Sequence, residues 1–308
     1  MSDNDDIPFN RDFPLKPGVV EEVVPSVRRV LCDNPSPFTF TGTVSYIVGR
    51  GRVAIIDPGP DDEAHAKALL DAVKGETVTH IFVTHTHKDH SPNTSRIKAA
   101  TGAPVYAEGP HRASRPRFES EKHNPESGAD RDFRPDIALR DGEVVTGDGW
   151  ALQAVTTPGH TANHTAFAWT DRKILFVGDH VMGWSTSIVA PPDGSMIDYM
   201  TSLEKLSRRE EQLYFSGHGP EIPDAPRFVR FLMRHRKARE ASILHRLAKG
   251  EADIPTMVRA IYIGLDPRLS NAAGYSVLAH LEDLVARGVV LTDGDPVIGG
   301  TYRLAKAS

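Results

Sequence analysis

The segment Thr84-His85-Thr86-His87-Lys88-Asp89-His90 places three histidines and an aspartate within six residues, directly after the apolar run 80–83. On a tight loop, residues i and i+2 can present two imidazoles to one point. The aspartate and histidine that follow can then turn toward a second point nearby. Imidazole nitrogen and carboxylate oxygen both suit zinc, and two metals ~3.5–4 Å apart can share a bridging hydroxide. Three further segments set a ligand-type residue beside glycine just after an apolar stretch: Pro158-Gly159-His160-Thr161, Gly178-Asp179-His180 and Ser216-Gly217-His218-Gly219. Glycine lets the backbone bend and approach closely. One Gly-His pair is an ordinary loop feature. All four segments together point to a metal centre assembled at strand ends.

The elements that must hold these residues are readable from patterning. Strands are expected over 27–32, 44–48 and 53–56, the last two joined as a hairpin through Gly49-Arg50-Gly51. A helix over 61–74, a buried strand over 80–83, a helix over 93–100 and a short strand over 105–107 follow. Residues 109–135 are polar and Pro-rich without apolar periodicity, and are expected to form a surface insertion or lid. Strands return over 150–156, 165–169 and 173–177, then a helix over 198–206 and a strand over 212–216. Two such halves suggest an α+β fold, with two packed sheets and helices outside in a four-layer αββα sandwich. Patterning alone does not separate this from a doubly wound α/β fold; the metal motifs favour the sandwich.

Composition narrows the remaining classes. A chain of 308 residues, 39% hydrophobic and 25% charged, is long enough for one large domain and one small one and is not of disordered composition. No apolar run of about 18 residues exists, which excludes a membrane-spanning helix, and the start of the chain lacks a secretory pattern. Cys32 is the one cysteine, so intramolecular disulfides are excluded and a reducing cytoplasm is expected. Residues 1–12 read as a solvated acidic tail, 13–225 as the catalytic domain and 226–308 as a second domain. Net charge is −5, which argues against a general nucleic-acid binder.

The full motif series resembles the metallo-β-lactamase superfamily over roughly residues 27–222. The resemblance implies that His85, His87 and His160 bind one metal, that Asp89, His90 and His218 bind a second, and that Asp179 bridges both. The expected cofactors are two divalent ions, zinc first, with manganese and iron also compatible. An aspartate at position 179 is similar to the glyoxalase II, ribonuclease and phosphodiesterase branches, and argues against antibiotic hydrolysis. Such a net-positive site would attract a carbonyl or phosphodiester oxygen, and the expected chemistry is attack by a bridging hydroxide, with Asp89 among the catalytic groups. Asp57, in Ile56-Asp57-Pro58-Gly59, is placed behind a ligand histidine as its hydrogen-bond acceptor, though aspartate also opens Pro-Gly turns. His180 is a candidate proton donor to the leaving group. His164, Ser185, Thr186 and Tyr199 are candidates for the substrate pocket. The other seven histidines have no ligand spacing.

The C-terminal part reads as one long helix over 225–249, helices over 254–262 and 270–286, and a hairpin over 289–304 with Thr292-Asp293-Gly294-Asp295 at its turn. That is the order of a winged helix. With Gly217-His218-Gly219-Pro220, the helix around His235-Arg236-Lys237-Ala238-Arg239-Glu240, and the segment 278–288, the chain resembles the lactamase-beta-like protein 2 group. That group contains metal-dependent hydrolases, some acting on single-stranded RNA. Residues 225–250 hold eight basic side chains against Glu240. Helix 270–286 carries no Arg or Lys and has Glu282 and Asp283, which argues against duplex DNA as a partner and for a structural or pocket-capping role. Expected substrates are therefore single-stranded RNA or a small ester, thioester or lactone. The alternative class is a non-catalytic or regulatory nucleic-acid-binding protein on the old hydrolase fold; a flavoprotein of this fold lacks its flavin-binding extension here.

Overall fold

Two mixed sheets carry the main body. The computed structural model describes residues 7–121 and 128–306. The first sheet runs in the order β1 (Val20–Val24), β2 (Val27–Leu31), β3 (Val44–Val48), β4 (Arg52–Ile56), β5 (Thr77–Phe82), β6 (Val105–Ala107) and β7 (Ile137–Ala138). The second runs from β8 (Val144–Gly147) through β9 (Trp150–Thr156), β10 (Thr165–Trp169), β11 (Ile174–Gly178) and β12 (Leu213–Ser216) to β13 (Ile222–Pro223). β4 and β5 are parallel neighbours, as are β11 and β12. Their C-terminal ends therefore lie side by side, which is where the sequence puts its ligand-type residues.

Alternation of apolar side chains divides the core into layers. Val27, Val44 and Tyr46 from the first sheet meet Leu152, Phe167 and Phe215 from the second in one inter-sheet cluster. Behind the first sheet, Ile47 and Ile55 pack on Leu69 of helix α1 (Glu63–Ala72) and Ile97 of helix α2 (Thr94–Thr101). Behind the second, Leu175 and Val177 pack on Leu203 of α3 (Met196–Ser207) and Leu232 of α4 (Ala225–Leu247). This is the αββα sandwich. A winged helix follows: α5 (Ile254–Ile261), α6 (Ser270–Ala286) and a small sheet of β14 (Ala252–Asp253), β16 (Thr301–Leu304) and β15 (Val290–Thr292). Its core also takes Ile243 and Leu247 from the end of α4. One long helix thus contributes to both cores.

Two expectations change on inspection. Residues 1–6 of the expected tail lie outside the described residues, but Ile7 is buried in the core behind the second sheet, with Phe9 edge-on to Phe228 at 6.1 Å. Ile7 and Phe9 are therefore packed, while Pro8, Asn10, Arg11 and Asp12 stay exposed. In the insertion 109–135, residues 122–127, His123 among them, lie outside the described residues. The rest is docked: Phe133 and Ala129 are buried, and Arg115 bonds both Glu121 and Glu282 of α6. On the basic helix α4, Arg236 is 3% exposed.

His280 on α6 is buried with neither ring nitrogen hydrogen-bonded. Burial, followed by the charges of Arg236 and Arg239, pushes its pKa down to about 3, against about 6.5 in an unfolded chain. Between those values the unfolded state binds a proton that the folded state refuses, so stability is lost as pH falls from about 6.5 toward 3. His280→Leu removes this slope and fills the same volume with apolar atoms. The variant is expected to melt above the wild type at pH 5, with the gap narrowing at pH 8. A gap that does not change with pH would contradict the assignment.

Candidate metal centre

The loop after β5 is shaped by Asp57 at the end of β4. The Thr84 amide donates to Asp57 Oδ1 at 2.7 Å and its hydroxyl to Oδ2 at 2.7 Å. Asp57 sits in the left-handed region at φ +50°, a conformation aspartate tolerates better than most residues. On the far side, the Lys88 amide donates to the Gly128 carbonyl and the Asp130 amide to the Thr86 carbonyl, each at 2.7 Å. The insertion therefore grips the loop that carries the histidines. The turn holding His160 is fixed by α3: the Ser195 amide donates to the Gly159 carbonyl at 2.9 Å and the Ser202 hydroxyl to the Pro158 carbonyl at 2.7 Å.

These supports bring seven side chains into two groups. His85, His87 and His160 form the first; Asp89, His90, Asp179 and His218 form the second, with the ligand atoms of each group within 4.8 Å of one another. In the first, His87 Nδ1 lies 3.0 Å from His85 Nε2 and 3.1 Å from His160 Nε2. In the second, His218 Nε2 is 3.2 Å from Asp179 Oδ2 and 3.3 Å from Asp89 Oδ2. Asp179 faces both groups, with Oδ1 3.5 Å from His90 Nε2 and Oδ2 3.9 Å from His160 Nε2.

Behind this face, each imidazole is held by its other nitrogen. His90 Nδ1 is 3.0 Å from Asp57 Oδ2, His160 Nδ1 is 2.6 Å from the Ile188 carbonyl, and His218 Nδ1 is 3.1 Å from the Gly42 carbonyl. His85 Nδ1 meets the Thr84 hydroxyl at 3.1 Å. His87 Nε2 lies 3.3 Å from Asp193 Oδ2, a partner that no sequence pattern indicated. Such outer contacts fix ring orientation and leave the inner nitrogen as a ligand.

The donor set fits a pair of divalent cations. His90 Nε2 and Asp179 Oδ1 are buried without a hydrogen-bond partner, which costs about 1–3 kcal/mol per group when nothing fills the position. Burial, with the charges of His90 and His87, pushes His85 well below the imidazole range. Burial likewise takes His160 down to about 4. These two rings stay neutral, as a ligand must. Burial opposes protonation of His218 as well, but Asp179 and Asp89 outweigh it and raise the ring to about 9. The carboxylates thus demand positive charge at this point, which a divalent cation supplies in place of protons.

Residues 38–218 match the metallo-beta-lactamase superfamily, more than half of the chain, and residues 254–300 match the beta-lactamase associated winged helix domain. The chain belongs to the metallo-beta-lactamase superfamily. A beta-lactamase-like protein 2 homolog of Caenorhabditis elegans is 30% identical over 281 residues, 88% of each chain. An atrochrysone carboxyl ACP thioesterase of Paecilomyces divaricatus is 31% identical over 231 residues, covering 73% of this chain and 65% of that protein. The crystal structure of a beta-lactamase domain protein from Burkholderia ambifaria superposes with a TM-score of 0.76 at 21% identity, covering 96% of this chain and 97% of that one.

This superfamily typically holds two divalent ions, and its hydrolytic chemistry fits the cluster. Not every residue expected at the site is there. A cavity of about 560 Å³ lies over the cluster, touched by His87, Asp89, His160 and Asp179. His180 is fully buried outside it; its carbonyl accepts from the Tyr199 and Ser187 hydroxyls, and burial pushes the ring down to about 3. Tyr199 is likewise buried, spending its hydroxyl on that carbonyl. His164 is buried against the Thr157 hydroxyl at 2.8 Å. Ser185 and Thr186 line a neighbouring groove instead. The first two turns of α6, through Asn271, Ala272 and Tyr275, line the cavity; the helix was expected to be structural or pocket-capping, but none of these three residues was singled out. No helix among the described residues is long and apolar enough to cross a membrane.

Proposed function

We propose that this protein is a metal-dependent hydrolase of esters or thioesters, with thioesters preferred, and that it works in a reducing cytoplasm. The observation that carries the reading is the cavity wall. Around the ligand face stand Phe38, Met182, Ile188, Ala190, Ala272 and Tyr275. An acyl chain buried there gains about 25 cal/mol per Å². A phosphodiester strand instead needs several cations along its path, and among the described residues Lys88 is the one lysine or arginine on this wall. The exposed basic residues of α4, Arg227, Arg230, Arg234 and Lys237, lie outside the cavity. The thioesterase name of a relative supports the same choice.

The chain's own residues then divide the work. His85, His87 and His160 would hold one cation, Asp89, His90 and His218 the other, with Asp179 between them. When bound, two divalent ions, zinc first, supply charge stabilisation at the carbonyl oxygen and lower the pKa of water at the site toward about 7. Asp57 and Asp193 keep His90 and His87 in orientation. Asp89, its side chain 26% exposed, faces the cavity and can accept a hydrogen bond from the attacking water. The apolar wall keeps bulk water off the acyl carbon. Water gives up one proton to solvent as its oxygen bonds to that carbon, the C–S bond breaks with its electron pair leaving on sulfur, and the carboxylic acid formed releases the second proton. A thiol of pKa about 8.5 departs as thiolate, so no proton from the buried His180 is required.

The test is a side-by-side measurement of the metal-loaded protein on acyl thioesters, lactones, single-stranded RNA and β-lactams. Thioesters are expected to give the highest kcat/KM. Efficient RNA cleavage with thioesters untouched would overturn the reading.

A further inference from the structure

A second groove, about 300 Å³ in volume, opens between the sandwich and the winged helix. Arg11, Trp184, His235, Arg236, Arg239 and Tyr262 line it. Among the described residues, no carboxylate lines this groove and none of the three arginines forms an ion pair. Each is held by neutral groups. Arg236, buried, donates to the Ser187 carbonyl and, at 3.3 Å, to the Ser276 hydroxyl, leaving Nε without a partner. Arg239 donates to the Ile261 carbonyl at 3.3 Å and lies 4.1 Å over the Tyr262 ring, its Nε also without a partner. The Arg11 Nε donates to the Trp184 carbonyl at 3.3 Å.

A guanidinium cannot shed its proton, so positive charge gathers here and no carboxylate among the described residues pairs with it. Concentrating unpaired cations in a partly buried groove is costly, and an anion relieves that cost. Phosphate suits the guanidinium groups of Arg11 and Arg239 better than a carboxylate does because it offers more acceptor oxygens. The groove also adjoins the metal cavity: Phe38, Met182, Ile188 and Ala272 are walls of both. One elongated molecule can therefore place its reacting carbonyl over the metal ligands, its apolar part along the shared walls, and its charged end among the arginines.

We propose that this groove binds a phosphate group of the substrate, so that the substrate is an acyl thioester whose thiol half carries phosphate at its far end. The inference rests on the thioesterase reading. The experiment compares one acyl group on pantetheine, on phosphopantetheine and on coenzyme A. With the wild type, KM is expected to be about tenfold lower when the phosphate is present, the scale of a charged hydrogen bond. In Arg239→Gln and in Arg11→Gln that ratio falls toward one. Arg236→Gln is avoided because Arg236 also ties α4 to the Ser187 backbone. A further drop in KM with coenzyme A assigns the phosphate to a nucleotide carrier, and equal values assign it to the arm of a carrier protein; both support the site. Equal KM with and without phosphate overturns it. If no thioester is turned over, the functional reading fails by itself, and the groove is judged by calorimetry with desulfo-coenzyme A, which has no thiol to ligate a metal. Binding weakened about tenfold by Arg239→Gln upholds the phosphate site; absent binding, or binding that neither variant alters, refutes it.

Discussion

His87→Ala is expected to abolish metal occupancy at the first group and hydrolysis together, while the protein stays folded. His87 is the hinge of that group, since its Nδ1 stands 3.0 Å from one neighbouring imidazole nitrogen and 3.1 Å from the other. Without it, the first group keeps two neutral histidines and only the Asp179 it shares with the second group, short of its full ligand set. The loop itself does not depend on the ring: backbone bonds to Gly128 and Asp130 and the clamp of Asp57 on Thr84 persist. Asp193→Asn supplies the graded comparison. It keeps the ligand but replaces the carboxylate 3.3 Å from His87 Nε2. Loss of such an outer partner typically costs about 10–100-fold in metal affinity or activity, so Asp193→Asn should fall in that range and His87→Ala beyond it. Metal content by mass spectrometry and thioester turnover read both. Full occupancy and turnover in His87→Ala would remove the metal assignment.

The contrast between His87 and Asp193 also marks what the sequence makes legible. The histidine motif declares itself because its members are four residues within one loop, and because each distant ligand repeats one local arrangement, an apolar strand end beside glycine. Local pattern suffices there. Asp193 lies 106 positions from His87 in a Pro-Pro-Asp-Gly turn, and nothing local separates it from any turn aspartate. The same holds for strands. β3 and β11 are buried throughout and read as apolar runs, whereas β1 and β8 lie at sheet edges with mostly exposed residues and leave little periodicity. Orientation after a motif is also hidden. His180, Ser185 and Thr186 follow a ligand strand in sequence, yet the chain turns inward at His180 and then outward into the next groove. Among eight basic residues in the α4 segment, only packing distinguishes buried Arg236 from the exposed Lys237 beside it.

Gly217→Ala should empty the second group without unfolding the protein. The glycine is not in the left-handed region, so alanine meets no backbone penalty there. The obstacle is space. An added Cβ would stand 2.5 Å from His90 Cε1 and closer still to Asp179 Oδ1. Both obstacles are side-chain ends, which can swing aside, so the cost in stability should stay near the ~1–3 kcal/mol of an overpacked core. Their positions, however, are the site: displaced by even 1 Å, Asp179 no longer faces both groups. Gly159→Ala is the opposite case. At φ +139° its Cβ would meet the Tyr199 backbone N and Cα and, at 2.6 Å, the Tyr199 Cβ, and neither α3 nor the turn can yield. Thermal melting should therefore separate the two, with Gly217→Ala near wild type and Gly159→Ala strongly destabilised. Metal analysis of Gly217→Ala should find about one ion fewer than the pair of a two-metal site, with turnover lost. A fully loaded, active Gly217→Ala would mean that Asp179 and His90 do not need the positions the glycine leaves them.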